Sequence, residues 1–218
     1  MAKKESMRSQ IKLSFGEELG NSVSHGAAAF LFLLLLPFSA VIAYQRHDWV
    51  FSLGVSVFII CIFLMLLTSC IYHSSPFASD HKFVMRILDH SMIFLAIAGT
   101  YTPILLSVTK GVLGMVTLII LWLFVVFGIL YKTIAKNAST KITLIMYLGM
   151  GWASVILMPD LVKKTSPVFL GLIALGGLLY TVGCWFYAQK TRNYFHFIWH
   201  IFIVLACFSH YIAIVFFI

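Results

Sequence analysis

Seven long apolar runs dominate the sequence and limit what the chain can fold into. A helix that crosses the hydrocarbon core of a bilayer needs about 20 apolar residues. The runs lie at about 23–44, 50–72, 86–108, 112–131, 142–160, 167–188 and 195–217. The first run is too long for the apolar region of a signal peptide, so we interpret it as an uncleaved span. The sequence therefore predicts an all-α integral membrane protein, a bundle of seven transmembrane helices.

Composition supports this class and argues against others. Of the 218 residues, 61% are hydrophobic and 10% are charged, whereas a soluble domain has roughly 45–50% apolar and about 25% charged residues. The net charge of +8 is typical of membrane proteins, whose cytoplasmic loops collect Lys and Arg. No basic stripe lies outside the loops, so we expect membrane lipids and no nucleic acid as partners. The four cysteines lie in apolar runs without a CxxC pair, which predicts neither disulfides nor a thiolate zinc site.

The distribution of Lys and Arg predicts the orientation of the bundle. If the N-terminus is cytoplasmic, only four of the 15 basic residues face outside, namely Arg46, Lys110, Lys163 and Lys164. The other eleven face inside: Lys3, Lys4, Arg8, Lys12, Lys82, Arg86, Lys132, Lys136, Lys141, Lys190 and Arg192. This bias predicts a multi-pass protein of the cell (inner or plasma) membrane, with a cytoplasmic N-terminus and the C-terminus outside. We expect residues 1–22 to form a cytoplasmic segment with a short juxtamembrane helix, and residues 23–218 to form the bundle.

The stretch SFGEELGNSVSH before the first run is typical of a helix start. Ser14 and Glu17 have the spacing of a capping box. Glu18, Asn21 and His25 follow at i, i+3 and i+7, so they share one face of that helix. We expect these three side chains to support a site at the cytoplasmic end of the first span.

Other ionisable residues are predicted to reach the same depth. Ser69 and His73 end the second span, and Asp89 lies in the first turn of the third. His196 and His200 occupy the first two turns of the seventh span. Alternating spans bring these helix ends to one side of the membrane, and ionisable residues buried in a bilayer usually mark a site.

This set of residues suits a metal ion. His196 and His200, four residues apart, can bind one ion from one helical face, and His73 can supply a third nitrogen. Three histidines with one open position for water are the arrangement of a catalytic zinc site. Asp89 can then orient the water, act as its base or hydrogen-bond a ligand imidazole. Ser69, one turn deeper than His73, can polarise a substrate carbonyl or bind the water.

Simpler explanations remain open for each residue. His73 alone can meet lipid headgroups, and the His196–His200 pair can be a hydrogen-bonded pair or a proton relay. Asp89 can pair with Arg86 or Lys82. His210 lies about 15 Å deeper than His200, so we expect it to make a buried hydrogen bond and to be a supporting residue of the site, not a ligand.

The motifs EELGNSVSH, SCIYH, LDHSMIFLAIAGTYTP and HFIWH…FSHYIAI, in this order over nearly the whole chain, resemble the haemolysin III family. That family is the bacterial branch of the progestin and adipoQ receptor superfamily of seven-span proteins. The resemblance implies Zn²⁺ held by His73, His196 and His200, with Asp89 near the zinc-bound water and Ser69 as the family's serine. It also implies a cytoplasmic N-terminus, and it does not make His210 a ligand.

The function that best fits these residues is zinc-dependent hydrolysis of a lipid amide or ester. The family also resembles a wider group of membrane hydrolases that includes alkaline ceramidases, which implies a ceramide-type substrate. Two alternatives stay open. One is a non-enzymatic channel, a cytolysin or a regulator of membrane energetics. The other is a structural zinc site in a signalling protein, which would require a fourth protein ligand such as Asp89. The sequence carries no signal that decides the oligomeric state.

Overall fold

A computed structural model describes residues 12–135, 138–189 and 192–218 of the chain. Every regular element in these ranges is a helix, and the bounds are α1 (Phe15–Arg46), α2 (Trp49–Ser74), α3 (Asp80–Ser107), α4 (Val112–Ile134), α5 (Thr140–Trp152), α6 (Ser154–Lys164), α7 (Pro167–Ala188) and α8 (Phe195–Phe217). Helices α5 and α6 form one segment, so seven segments of the described chain are long and apolar enough to cross a membrane. The predicted all-α, seven-span fold is confirmed. The predicted orientation stays a prediction, and five of the basic residues behind it, Lys3, Lys4, Arg8, Lys136 and Lys190, lie outside the described residues.

Helix α1 begins at the predicted capping box. The Ser14 hydroxyl accepts a hydrogen bond from the Glu17 N–H, and the Glu17 carboxylate accepts one from the Ser14 N–H, each at 3.2 Å. The helix then runs through 32 residues, so the predicted juxtamembrane helix is its first turns. At 1.5 Å per residue it is about 48 Å long, against about 30 Å of hydrocarbon. Its polar first turns can therefore lie outside the apolar layer.

Contacts at the helix ends fix the directions of the helices. At the start of α1, the Glu17 carboxylate accepts a hydrogen bond from the Tyr194 N–H next to the start of α8. At the far ends of the same helices, His47 Nε2 lies 3.2 Å from the Ile218 carbonyl oxygen. Helices α1 and α8 are therefore parallel. We call the end of the bundle where α1, α3 and α8 begin and α2 ends the proximal end.

Four helices form the inner part of the bundle. Phe32 of α1, Phe58 of α2, Phe94 of α3 and Ile214 of α8 are all fully buried. Helices α4 to α7 expose many large apolar side chains, and α1 does so on its outer face, as surfaces facing lipid do. Polar side chains on the inner faces of α1, α2, α3 and α8 are consequently shielded from lipid.

The break between α5 and α6 has a local cause. The Tyr101 hydroxyl of α3 donates to the Gly151 carbonyl at 2.6 Å and accepts from the Ser154 N–H at 2.8 Å. A side chain inserted into the backbone ladder of a helix is a common cause of a kink. The sequence predicted that this span ends at Pro159-Asp160, which is wrong: α6 contains Pro159 and continues to Lys164. A proline removes only one backbone donor, and the helix tolerates that loss here.

Candidate metal centre

Three histidines from two helices converge at the proximal end. His73 ends α2, and His196 and His200 lie in the first two turns of α8; their ligand nitrogens all lie within 4.8 Å of one another. The Nε2 atoms of His196 and His200 are 3.2 Å apart. His73 and His200 are buried, while His196 is partly exposed. All three predicted metal ligands therefore lie in one cluster.

The donor set fits a metal ion such as zinc. Two imidazoles on one tetrahedral Zn²⁺, with Zn–N distances of 2.0–2.1 Å, have nitrogens roughly 3.3 Å apart, close to the His196–His200 separation. His73 Nε2 is buried and has no hydrogen-bond partner among the described residues. Buried polar atoms are rarely left unpaired, so this nitrogen is suited to a ligand. Imidazole also suits copper, iron and nickel, and the geometry of the cluster does not choose among these metals.

Glu18 determines which nitrogen of His73 faces the cluster. Its Oε2 lies 2.6 Å from His73 Nδ1, and its Oε1 accepts from the Lys82 ammonium at 2.8 Å. An ionised carboxylate only accepts hydrogen bonds, so the His73 proton sits on Nδ1 and Nε2 is left with its lone pair. This is the carboxylate–histidine arrangement that accompanies metal-bound imidazoles.

Lys82 is itself buried, with 2% of its surface exposed. Besides the Glu18 carboxylate, its ammonium donates to the Ser75 carbonyl at 3.1 Å, and it lies 5.0 Å from the centroid of the Tyr72 ring. A buried charge needs such partners. The ammonium in turn stabilises the ionised form of Glu18. Helix α1 is thereby joined to both α2 and α3.

Asn21 and His25 continue the same face of α1 into the bundle, as predicted. The Asn21 amide nitrogen lies 3.4 Å from His73 Nδ1. His25 Nε2 lies 3.0 Å from His200 Nδ1. The same His25 Nε2 lies 3.3 Å from the His200 carbonyl oxygen. If His200 offers Nε2 to a metal, its Nδ1–H can donate to His25 Nε2 across the shorter of the two distances, and Nε2 then does not donate to that carbonyl. His25 then orients a ligand and is not one itself.

Asp89 and Ser69 lie beside the cluster and outside the set of converging ligand atoms. Asp89 is buried and close enough to His73 and Ser69 to interact with both. The buried Ser69 hydroxyl makes no hydrogen bond of standard geometry among the described residues, although it lies close enough to the Asp89 carboxylate to interact with it. Lys82, one of the cations considered for Asp89, pairs with Glu18 instead. The two predicted catalytic residues thus lie within interacting distance of each other, and Asp89 also interacts electrostatically with one predicted metal ligand, His73.

His210 belongs to another part of the bundle. Its Nε2 lies 3.3 Å from the Ile173 carbonyl oxygen of α7, which is the buried hydrogen bond that the sequence favoured. Other deep polar groups pair locally: Tyr180 with Cys207 at 3.2 Å, and Ser39 with Tyr211 at 2.9 Å. These pairs are separate from the histidine cluster.

Sequence reasoning missed three contacts around the cluster. Glu17 was predicted only as a cap, but it also binds the start of α8 through Tyr194. The pairing of Lys82 with Glu18 was not predicted. The hydrogen bond between His90 Nε2 and the Tyr187 hydroxyl, which are 3.0 Å apart, was not predicted either. The one available signal was that Glu18 and Lys82 both lie in the first turns of helices predicted to start on the same side.

Comparisons with known proteins agree with the fold. A family model described as "Haemolysin-III related" matches residues 13–211. The chain is 34% identical over 188 residues to the "Hemolysin-3 homolog" of Bacillus subtilis, covering 86% of this chain and 88% of that protein. It is 32% identical to the "Hemolysin-3" of Bacillus cereus, covering 86% and 85%. It is also 26% identical over 212 residues to the human "Monocyte to macrophage differentiation factor", covering 91% and 83%. No solved structure matches the chain.

Proposed function

The chain belongs to the haemolysin III-related family of multi-pass membrane proteins, and from this premise we propose that it is a metal-dependent hydrolase of a lipid amide or ester. His73, His196 and His200 would hold Zn²⁺ at the proximal end of the bundle. The site lies inside the cell membrane, so the substrate reaches it from the lipid phase. Membrane lipids are accordingly the partners we assign to it.

The chain's own residues supply orientation and proton transfer. Glu18 holds His73 with Nε2 towards the cluster, and His25 does the same for His200. When bound, such an ion lowers the pKa of its water to about 7 and polarises a carbonyl. Asp89 takes the proton of the attacking water and later returns one to the leaving group. The Ser69 hydroxyl donates to the oxygen on which negative charge develops.

One observation carries the proposal. Three nitrogens converge, one of them buried without a partner, and no carboxylate of the described residues is among the converging ligand atoms. A metal with three protein ligands keeps a position open for water or substrate, which is the feature of catalytic zinc. A structural site is usually closed by a fourth protein ligand, and no described residue joins the three histidines as such a ligand.

Cytolysis is a second candidate, because the Bacillus cereus relative is named "Hemolysin-3". A pore or a proton pathway requires polar groups along the membrane normal. The deep polar groups of the described residues instead pair locally, as His210 does with the Ile173 carbonyl. This arrangement gives cytolysis, and an ion channel with it, less support than hydrolysis.

The decisive experiment combines metal analysis with lipid turnover. Wild-type protein, His73→Ala and Asp89→Asn are purified in detergent, and their zinc content is measured by elemental analysis. The same proteins are incubated with defined ceramides and phospholipids, and the products are measured by mass spectrometry. We expect about one zinc per wild-type chain, loss of zinc in His73→Ala, and retained zinc without turnover in Asp89→Asn.

Two results would refute the hydrolase. One is a wild-type protein with full zinc content that turns over no lipid in either class. The other is Asp89→Asn turning over lipid as fast as the wild type. Dye release from liposomes, measured in parallel, tests the second candidate: release that is unaffected by His73→Ala and by chelation would favour cytolysis.

A further inference from the structure

A cleft that contains two arginines opens at the proximal end directly beside the histidine cluster. It has a volume of about 60 Å³, and His196 lines it together with Tyr72, Arg86 and Arg192. Since one water needs about 10–15 Å³, the cleft has room for roughly four to six groups of the size of water. This is about the space that a phosphate group occupies. None of the nine described residues that line it is acidic. Its charge therefore favours an anion.

The walls of the cleft are held in place. His90 Nδ1 donates to the Arg86 carbonyl at 2.8 Å, and His90 Nε2 lies 3.0 Å from the Tyr187 hydroxyl oxygen. The guanidinium of Arg192 lies 5.4 Å from the centroid of the Phe195 ring. The ring contact holds the Arg192 guanidinium near the start of α8, and Arg86 precedes His90 by one turn of α3.

The start of α8 also lies at the cleft. This helix begins at Phe195; its N-cap residue Tyr194 makes no side-chain cap bond, and the Glu17 carboxylate accepts from the Tyr194 N–H just before the first turn. The first backbone N–H groups of a helix have no partner within the helix and carry a partial positive charge that favours anions. Arg192 and His196, on either side of this start, both line the cleft.

We propose that the cleft binds the phosphate of an anionic phosphoglyceride and thereby selects the substrate of the neighbouring site. This inference rests on the proposed hydrolase function and names its substrate class. Guanidinium groups bind phosphate in a bidentate manner. The predicted orientation puts the cleft in the cytoplasmic leaflet, where anionic lipids attract basic groups. Neutral ceramides lack the phosphate that the cleft recognises.

The geometry also selects the bond to be cleaved. In a phosphoglyceride, the acyl ester lies only a few bonds from the phosphate. With the phosphate beside His196, the ester carbonyl can reach the histidine cluster. The oxygen of water then bonds to the acyl carbon, the bond from that carbon to the glycerol oxygen breaks, and the glycerol oxygen takes up a proton. The products are a fatty acid and a lysophospholipid.

The test measures lipid selection by the full chain in nanodiscs. Trace amounts of spin-labelled phosphatidylglycerol are added, or of phosphatidylcholine, whose choline cation offsets the charge of its phosphate and is repelled by the two arginines. The motionally restricted fraction gives the relative affinity. We expect the wild type to prefer phosphatidylglycerol, and Arg86→Gln and Arg192→Gln each to weaken that preference about fivefold, the effect of one basic residue near an anionic surface. Lys141→Gln removes an exposed charge at the same end, outside the cleft, and should leave the preference unchanged. Arg192→Lys should retain part of it.

Several outcomes overturn the proposal. One is equal retention of both lipids by the wild type. Another is an unchanged lipid preference in Arg192→Gln, which is expected to fold because Arg192 is exposed. Displacement of the labelled lipid by millimolar inorganic phosphate or glycerol 3-phosphate would assign the cleft to soluble phosphate and refute the lipid.

Zinc content and turnover are measured on the same samples. Turnover of neutral lipids without selection of phosphatidylglycerol refutes only the cleft. Selection without turnover of any lipid refutes only the hydrolase.

Discussion

Replacing Glu18 by Gln tests how the His73 tautomer is set. Gln is nearly isosteric but has one acceptor oxygen and one NH₂ group where Glu18 has two acceptor oxygens. In the wild type these oxygens serve His73 Nδ1 at 2.6 Å and the Lys82 ammonium at 2.8 Å. The buried ammonium carries a full charge, so it keeps the single amide oxygen. The NH₂ group then faces His73 Nδ1, which must become an acceptor, and the ring proton moves to Nε2, the nitrogen required for the metal.

The size of the effect follows from this proton shift. Loss of a partner that orients a metal-bound histidine costs about 10–100-fold in metal affinity, or about 1.4–2.7 kcal/mol at 1.36 kcal/mol per tenfold. The fold should suffer less, because Lys82 keeps both the amide oxygen and the Ser75 carbonyl. We expect Glu18→Gln to remain folded, with zinc affinity reduced by that factor.

Competition with a chromophoric chelator measures the zinc affinity of detergent-purified protein. The informative variant is Glu18→Gln combined with Lys82→Met. Without the ammonium, the amide oxygen can turn to the His73 Nδ1–H and restore the correct tautomer, so the double variant should regain most of the lost affinity. Asp160→Asn breaks a pair of similar length, 2.9 Å to Lys164, far from the site. It should leave the affinity unchanged.

Two results would contradict this reasoning. Wild-type zinc affinity in Glu18→Gln would mean that the Glu18–His73 bond does not orient the ring. A double variant that binds zinc no better than Glu18→Gln alone would mean that competition between Lys82 and His73 for one oxygen is not the cause of the loss.

Three further substitutions test other parts of the structure. Ser69→Ala should retain zinc and lower lipid turnover by about 10²–10³-fold if the hydroxyl stabilises the developing oxyanion; an unchanged rate would exclude that role. Tyr101→Phe removes the hydroxyl that bridges the α5–α6 break and should lower stability by about 1–3 kcal/mol, seen as a lower midpoint of thermal unfolding in detergent. Gly176→Ala places a methyl group against the His210 ring and should destabilise by about 1–3 kcal/mol. Gly149→Ala, with nothing within 4 Å of the new methyl group, should not. Equal midpoints for the two variants would refute the close packing of α7 on α8.

The sequence predicted the elements whose physics is local. Helices that cross a bilayer must satisfy their own backbone, so length and apolar composition were enough to find all seven segments. The capping box of Ser14 and Glu17 was predicted because both partners lie within one turn. Short connections make consecutive spans antiparallel, which is why the end of α2 and the start of α8 could be expected on the same side of the membrane.

Contacts chosen by helix rotation and packing could not be predicted in the same way. Lys82 and Asp89 lie on one helix, and the sequence alone does not say which of Asp89 and Glu18 the ammonium reaches. The Tyr101 hydroxyl enters the α5–α6 segment from a different helix, so no local pattern marks the break. The predicted end at Pro159 was wrong for a different reason: Pro159 and Asp160 were taken as a stop signal, whereas α6 runs through both and ends at Lys164.

The same contacts bear on whether the histidine cluster is structural or chemical. A structural zinc ion contributes folding energy because its ligands have few other ties holding them together. Here side chains already join the proximal ends of four helices: Glu18 connects α1 to α2 and α3 through His73 and Lys82, and Glu17 connects α1 to α8 through Tyr194. An ion is therefore not needed to assemble this end of the bundle. Three histidines held ready by such ties, with a buried carboxylate beside them, are better explained by a reaction than by the stability of the fold.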